Sequence, residues 1–245
     1  MKKFFCAVIM LAITTLSSYG QNNGNVPTDK ILRKVAWNYE GGLGYQYFDP
    51  SALKGSLRAN NYGSDLSSSL ILFNYGLGAV FFDKLYTGLN FEAGSTSDFM
   101  RSGTSVSLSK FGAGLKLGYD IWANKSHKVS LLYQLGIDGN ELSLVDNVRA
   151  LPDFGAALDQ RTSHSLYSGN VSNRFLVRYD YLFKQKQDEK AVMTPALGIE
   201  LGYSAAGNNS WDDVVNGPEI NNSGMFANLV FSTRMKKYKT PKSKL

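Results

Sequence analysis

Residues 110–121, KFGAGLKLGYDI, decide how this chain folds. Phe111, Ala113, Leu115, Leu117, Tyr119 and Ile121 take every second position, and Lys110, Gly112, Gly114, Lys116, Gly118 and Asp120 take the positions between them. Successive side chains of a strand point to opposite faces, so this alternation marks a strand with one apolar and one polar side. The signal extends over about 105–121 and recurs at about 37–47, 69–82, 85–95, 128–138, 168–183, 191–204 and 223–235. The sequence therefore predicts eight strands. Outside them, 148–159 (VRALPDFGAALD) could hold a short helix around Pro152, with an extra hairpin the alternative.

The connections alternate in length. Asp83-Lys84, Asn124 to His127 and Lys184 to Lys190 are short turns, whereas 49–68, 96–104, 139–167 and 205–222 are long loops. Short turns at one end and long loops at the other is the layout of an outer-membrane barrel. A soluble lipocalin-like barrel alternates in the same way, so the decision rests on which face is wet.

The chain has 245 residues, with 24 Gly, 14 Tyr, 14 Phe, one Cys and 19% charged residues. A single Cys excludes a disulfide scaffold, and no run reaches the ~20 apolar residues of a spanning helix. The glycines concentrate on the polar strand face, as at Gly42, Gly44, Gly76, Gly78, Gly198 and Gly202. Glycine makes a poor solvent coat but fits the narrow interior of an eight-stranded barrel. The same face carries Glu40, Glu92, Asp120, Asp138, Asp180 and Glu200 against Lys110, Lys116, Lys128, Arg174, Arg178 and Arg234. Six acids against six bases is the balance an enclosed face requires, because an unpaired buried charge costs several kcal/mol. On the other face, Trp37, Tyr39, Phe81, Tyr119, Tyr181 and Phe183 lie near the short turns, and Tyr45, Tyr47, Phe73, Tyr75, Phe91 and Tyr203 lie nearer the long loops. Two aromatic rows enclosing an aliphatic band match the girdles of a bilayer-spanning barrel, with apolar side chains outward and polar ones inward.

The pattern has exceptions. Leu72, Val80, Leu132 and Leu176 fall on the polar face, as interior apolar patches or as a misplaced register. Pro195 can donate no ladder hydrogen bond, so a bulge or a strand end is expected there.

At the N-terminus, Lys2 and Lys3 precede the apolar run Phe4 to Ile13 and a small, polar stretch ending at Gly20. That order is a secretory signal peptide. The expected organisation is a signal peptide at 1–20, a periplasmic lead-in at 21–36, the barrel at 37–235 and a basic periplasmic tail at 236–245. Cleavage near Gly20 removes Cys6 and leaves 24 basic against 20 acidic residues, a net +4.

In this pattern, residues 37–235 resemble the small eight-stranded outer-membrane barrels of the OmpA/OmpX-type fold. The stretch 197–232, LGIELGYSAAGNNSWDDVVNGPEINNSGMFANLVFS, is also similar to the last hairpin of "outer membrane beta-barrel" family proteins, through Gly202-Tyr203, Trp211, Gly217-Pro218 and Gly224. The resemblance implies an all-β, eight-stranded antiparallel up-and-down transmembrane barrel in the Gram-negative outer membrane, with short periplasmic turns and four longer extracellular loops. It implies no activity. The chain departs from the pattern at its C-terminus, which ends KKYKTPKSKL rather than at an aromatic residue.

Candidate chemistry is sparse. His164, near Asp159 and Ser168 in the longest loop, is composed like a hydrolase triad, but no nucleophile motif frames it. A polar loop histidine is the better reading, and no catalytic residue is assigned. Asp212, Asp213 and Glu219 could bind a calcium ion, yet an acidic exposed loop is the better account. No metal and no cofactor is expected. His164, Trp211, Asp212 and Asp213 are the candidate loop interaction residues, and Glu40, Glu92, Lys110, Lys116, Asp120, Asp138, Arg174, Arg178, Asp180, Glu200 and Arg234 the candidate interior charge network. The four long loops carry net −5: none from the first two, −2 from the third and −3 from the fourth. The tail instead holds Lys236, Lys237, Lys239, Lys242 and Lys244, which anionic headgroups, peptidoglycan or a periplasmic protein could attract. The expected partners are the bilayer and a periplasmic or cell-surface protein, not nucleic acid, and a monomer is favoured. The leading function is a structural or interaction barrel with a closed interior. A narrow pore comes second and a lipid-modifying enzyme third.

Overall fold

A computed structural model describes residues 34–59, 66–96, 99–101, 104–146, 163–187, 190–207, 210–211 and 220–238. The strands are β1 (Val35–Tyr47), β2 (Ser69–Phe81), β3 (Leu85–Ser95), β4 (Phe99–Arg101), β5 (Thr104–Ala123), β6 (His127–Asp146), β7 (Ser163–Leu182), β8 (Lys186–Gln187), β9 (Ala191–Ala206), β10 (Ser210–Trp211) and β11 (Gly224–Lys237). One helix, α1 (Ser51–Ala59), follows β1. Eight long strands pair antiparallel in the order β1-β2-β3-β5-β6-β7-β9-β11. β11 returns to β1 from Trp37↔Met235 to Gln46↔Phe226. The sheet closes on itself as an eight-stranded barrel, which leaves no open edge among its long strands.

The turns explain the tight end. Phe82 and Asp83 both have positive φ, 51° and 63°, and the Lys84 N–H donates to the Phe81 carbonyl at 3.1 Å. That geometry carries the twist a hairpin needs. In the second turn, Asn124 Oδ1 accepts from the N–H groups of Ser126 and His127.

Pro195 differs from expectation. β9 runs straight through it in register with Thr233. The β7–β9 ladder ends at Leu182↔Ala196, and the β8–β9 ladder begins at Lys186↔Met193, so the missing N–H falls in the gap between two neighbours. The bulge lies instead in β5, where the register shifts between Asp120 and Trp122.

Along the lower two-thirds of the barrel the apolar phase faces outward. Leu115, Tyr45 and Leu201 are about half exposed, while Lys116, Arg174, Asp180 and Glu200 are buried. Leu72, Val80, Leu132 and Leu176 are also buried, so they form interior apolar patches and the register is not misplaced. Water-soluble sheets show the opposite arrangement.

The phase then swaps. On β5, Phe111 faces out, but one pleat higher Ser109 and Ser107 take the outer side while Leu108 and Val106 are buried. β6 does the same, with Ile137 exposed outward and Leu142 buried above it. On β7, Val171 is exposed below, and above it Ser165 faces out and Leu166 is half-buried, with Tyr167 kept on the outer side opposite Glu141. Glu141, Ser143 and Ser165 share the outer face with Ser107 and Ser109 through the pairs Ser109↔Glu141, Ser107↔Ser143 and Ser143↔Ser165. Three strands thus continue past the apolar belt as an ordinary water-facing sheet with an apolar inside. For this reason β6 and β7 run to Asp146 and from Ser163, correcting the expectation of a loop over 139–167. The helix or extra hairpin considered at 148–159 lies outside the described residues, as do the signal peptide and the end of the basic tail.

A second correction is α1, inside what the sequence reads as a loop. Asp49 Oδ1 accepts from the Ser51 N–H at 3.0 Å at its start, the side-chain capping that fixes a helix N-terminus, with Pro50 pre-set for the first turn. Leu53 and Leu57, one turn apart, are its buried residues. They pack into an apolar cluster with Phe48, Leu70, Leu108, Leu142, Trp211 and Ile220 at the loop end of the lumen.

Candidate functional site

The lumen is built in layers. Nearest the short turns, Lys128 Nζ lies 3.0 Å from Asp180 Oδ2, and Arg234 Nη2 lies 3.2 Å from Asp120 Oδ2. Arg178 extends this set inward, bonding Asp180 at 2.7 Å, Glu40 at 2.7 Å and Glu200 at 3.3 Å. Lys116 joins the same two glutamates at 2.7 and 3.0 Å. Asn38 and Asn228 complete the carboxylates of Glu40 and Glu200. Four acids and four bases make up this lower set.

Above it, Arg174 meets both oxygens of Glu92 and lies 3.3 Å from Asp138. Lys110 sits 3.0 Å from Asp138 and 3.3 Å from Glu92. Two acids and two bases make up the upper set. Each set is internally neutral. In a low-dielectric interior that local balance matters more than the total, because every charge needs a partner within a few ångströms.

An amide and hydroxyl layer separates the upper set from the apolar cluster. Lys110 donates to Gln46 Oε1 at 2.8 Å, Gln46 Nε2 to the Asn222 carbonyl at 2.8 Å, and Asn222 Nδ2 to Asn140 Oδ1 at 3.2 Å. The Arg174 guanidinium lies 5.2 Å from the Phe226 ring centre.

The bridges join strands that are not neighbours: β7 to β3 through Arg174–Glu92, β7 to β1 through Arg178–Glu40, and β5 to β9 through Lys116–Glu200. They therefore cross the lumen. The interior glycines make room for them. A Cβ on Gly76 would fall 2.6 Å from Glu40 Cγ, one on Gly112 2.6 Å from Asp138 Oδ1, and one on Gly198 2.3 Å from Asp180 Oδ1. Side chains on this face would displace the carboxylates.

An eight-stranded closed sheet that faces apolar side chains outward and encloses its charges admits one surrounding, a hydrocarbon layer. The fold is that of a small outer-membrane barrel. Among solved structures the barrel is similar to Ail, the attachment invasion locus protein of Yersinia pestis (11% identity over 83% of this chain and 99% of that chain, TM-score 0.42). It is similar also to Neisserial surface protein A (11%, 83% and 97%, TM-score 0.43) and to a major outer membrane protein from Thermus thermophilus (10%, 83% and 100%, TM-score 0.43). Neither a protein-family model nor a curated protein matches it.

The loop residues are less concentrated. Trp211 is buried in β10, paired with Ser168 of β7, and packs in the apolar cluster rather than facing outward as an interaction residue would. His164 is in β7 in register with Leu144, not in a loop. Asp212, Asp213, Asp159 and Glu219 lie outside the described residues. The amide layer at Gln46, Asn140 and Asn222 and the apolar cap around α1 were missed by sequence reasoning. The signal for the first was an Asn/Gln series on the inward phase, and for the second the four-residue spacing of Leu53 and Leu57.

Proposed function

We propose that this chain is an outer-membrane anchor, a barrel that holds four connections at the cell surface and lets no solute through its interior. Residues 1–20 act as its export signal, 21–36 as a periplasmic lead-in whose last two residues open β1, and 236–245 as a basic periplasmic tail whose first two residues close β11. The observation that carries the reading is the pair of internally neutral charge sets spanning non-adjacent strands, overlaid by an amide layer and an apolar cap. A conducting pore requires water-filled space along its axis, whereas eight strands enclose a lumen that side chains just fill. The surface sheet of β5, β6 and β7 supplies a hydrogen-bonded platform for the connections it bears, which suits interaction with a cell-surface partner.

The chain is assigned no catalytic role. Two measurements test the proposal. The membrane-fraction protein is expected to migrate at different positions on a gel before and after heating; a soluble mature chain would overturn the assignment of faces. In planar bilayers the refolded protein is expected to show no sustained steps, and ion-selective steps would replace the anchor with a pore. Altered lipid A or phospholipid profiles on deletion would favour an enzyme.

A further inference from the structure

The two ends of the barrel differ in charge in a way the closed interior does not explain. At the turn end, Lys34 precedes β1, Lys84 stands in the first turn and Lys125 in the second, and all three are exposed. Lys184, Lys186 and Lys190, also exposed, occupy the third connection, and Lys236 and Lys237 end β11. Every short connection and both ends of the barrel thus contribute a cation, so the lysines ring the whole rim. Three acids oppose these eight lysines in sequence, Asp83, Asp188 and Glu189, leaving net +5. Lys236 already holds Asp83, at 2.7 Å.

The ring has a neighbour that fixes its depth. Trp37 and Trp122, half exposed on the outer wall, stand three residues from Lys34 and Lys125, and the exposed Phe183 adjoins Lys184. Phe82 is 70% exposed at the tip of its turn, and Lys34 Nζ lies 5.9 Å from its ring centre. Aromatic belts settle at the headgroup level of a bilayer. Lysines just beyond such a belt reach the phosphate layer while their stems lie along the apolar wall. At the other end, the outward row Ser107, Ser109, Glu141, Ser143 and Ser165 above the apolar belt holds no cation, and Lys54 and Arg58 stand on α1, which packs on the apolar cluster at the mouth, not on this outer row.

We propose that the lysine ring at the turn end is a binding surface for anionic phospholipid of the periplasmic leaflet, recognising the phosphodiester headgroup beneath the aromatic belt. The surface concentrates lipids such as phosphatidylglycerol around this rim. Attraction of this kind acts within a Debye length of the surface and weakens with salt. The inference rests on the outer-membrane reading.

The three tryptophans give the test its probe, since Trp37 and Trp122 lie beside the ring and Trp211 lies in the apolar cluster at the far end. The full chain carrying Trp211→Phe is refolded into phosphatidylcholine vesicles containing a minor fraction of phosphatidylglycerol, with bromine on one lipid or the other. Brominated phosphatidylglycerol is expected to quench about threefold more per mole than brominated phosphatidylcholine. The excess is expected to vanish at about 1 M salt, where the Debye length falls to about 3 Å. It is expected to vanish also in the variant with Lys84, Lys125, Lys184 and Lys186 all changed to Gln. Equal quenching by the two lipids overturns the proposal, and so does a preference that survives the substitutions. If the fourfold variant does not refold, the single variants and the salt series of the unsubstituted ring decide. Failure to insert into pure phosphatidylcholine would count against the barrel reading instead.

Discussion

Arg174 on β7 and Glu92 on β3 form a two-pronged ion pair across the lumen, each terminal guanidinium nitrogen meeting one carboxylate oxygen. Arg174→Met leaves Glu92 and Asp138 to share Lys110 alone, so one buried carboxylate loses its counter-charge. The expected cost is about 3–5 kcal/mol, the usual penalty for breaking a buried pair from one side. Urea titration of vesicle-inserted protein, followed by tryptophan fluorescence, measures it. The double change Arg174→Met with Glu92→Gln leaves the Lys110–Asp138 pair at 3.0 Å and should recover most of the loss. No recovery would mean that packing, not charge balance, dominates at this layer.

The strand phase alone puts these charged residues on one face, because a period of two assigns every residue of a strand to a side. Which acid meets which base is not legible in that way. Arg174 and Glu92 are 82 residues apart and on non-adjacent strands; their meeting depends on barrel closure and on the stagger between strands. The upper halves of β6 and β7 are illegible for another reason. Their apolar residues, Leu142, Leu144 and Leu166, fall on even positions, whereas Leu135, Ile137 and Val171 below them fall on odd ones. The alternation continues with its phase inverted, and a reading that follows one phase sees it stop. Nine residues with Gly55 in the middle likewise gave α1 too weak a helical signal to stand out from a loop.

The phase inversion predicts where the bilayer ends. Cysteines at Ser109 and Glu141 should react with a membrane-impermeant maleimide on intact cells, while cysteines at Phe111, Ile137 and Val171 should not. The chain suits the measurement because its one Cys is Cys6, at the far N-terminus. Labelling at Ile137 as fast as at Glu141 would place the boundary lower than the exposed apolar belt indicates.

Two glycines should respond in opposite directions. A Cβ on Gly94 would fall 2.0 Å from the Ile71 carbonyl oxygen, a backbone atom that cannot step aside without moving β2. Gly94→Ala is expected to destabilise by about 1–3 kcal/mol, as overpacking does. Gly55 in α1 has nothing within 4 Å of the same position, so Gly55→Ala should gain up to about 1 kcal/mol of helix stability. Since α1 caps the mouth rather than forming the wall, that gain should appear as slower proteolysis of 51–59 and leave the urea midpoint of the barrel unchanged.

The apolar cap gives the last test. Leu53 and Leu57 attach α1 to Phe48, Leu70 and Leu108, while Asp49 ties its start to Asn221 through a backbone bridge. Changing both leucines to Ala removes most of the helix's buried side-chain volume, at about 2–5 kcal/mol for each buried Leu→Ala change. Global unfolding does not have to bear that cost, because the helix can detach while the eight-stranded ladder stays closed; loops and caps open locally at lower free energy than the core. The double variant should therefore keep its heat-dependent gel shift but be cut by external protease between 51 and 59 on intact cells, where the unaltered chain is expected to resist. Resistance in the variant would mean that the backbone bridge and capping at Asp49 hold the helix without the leucines. Loss of the gel shift would mean instead that the cap is part of the barrel's own stability, and that the lumen cannot stay closed on its charge layers alone.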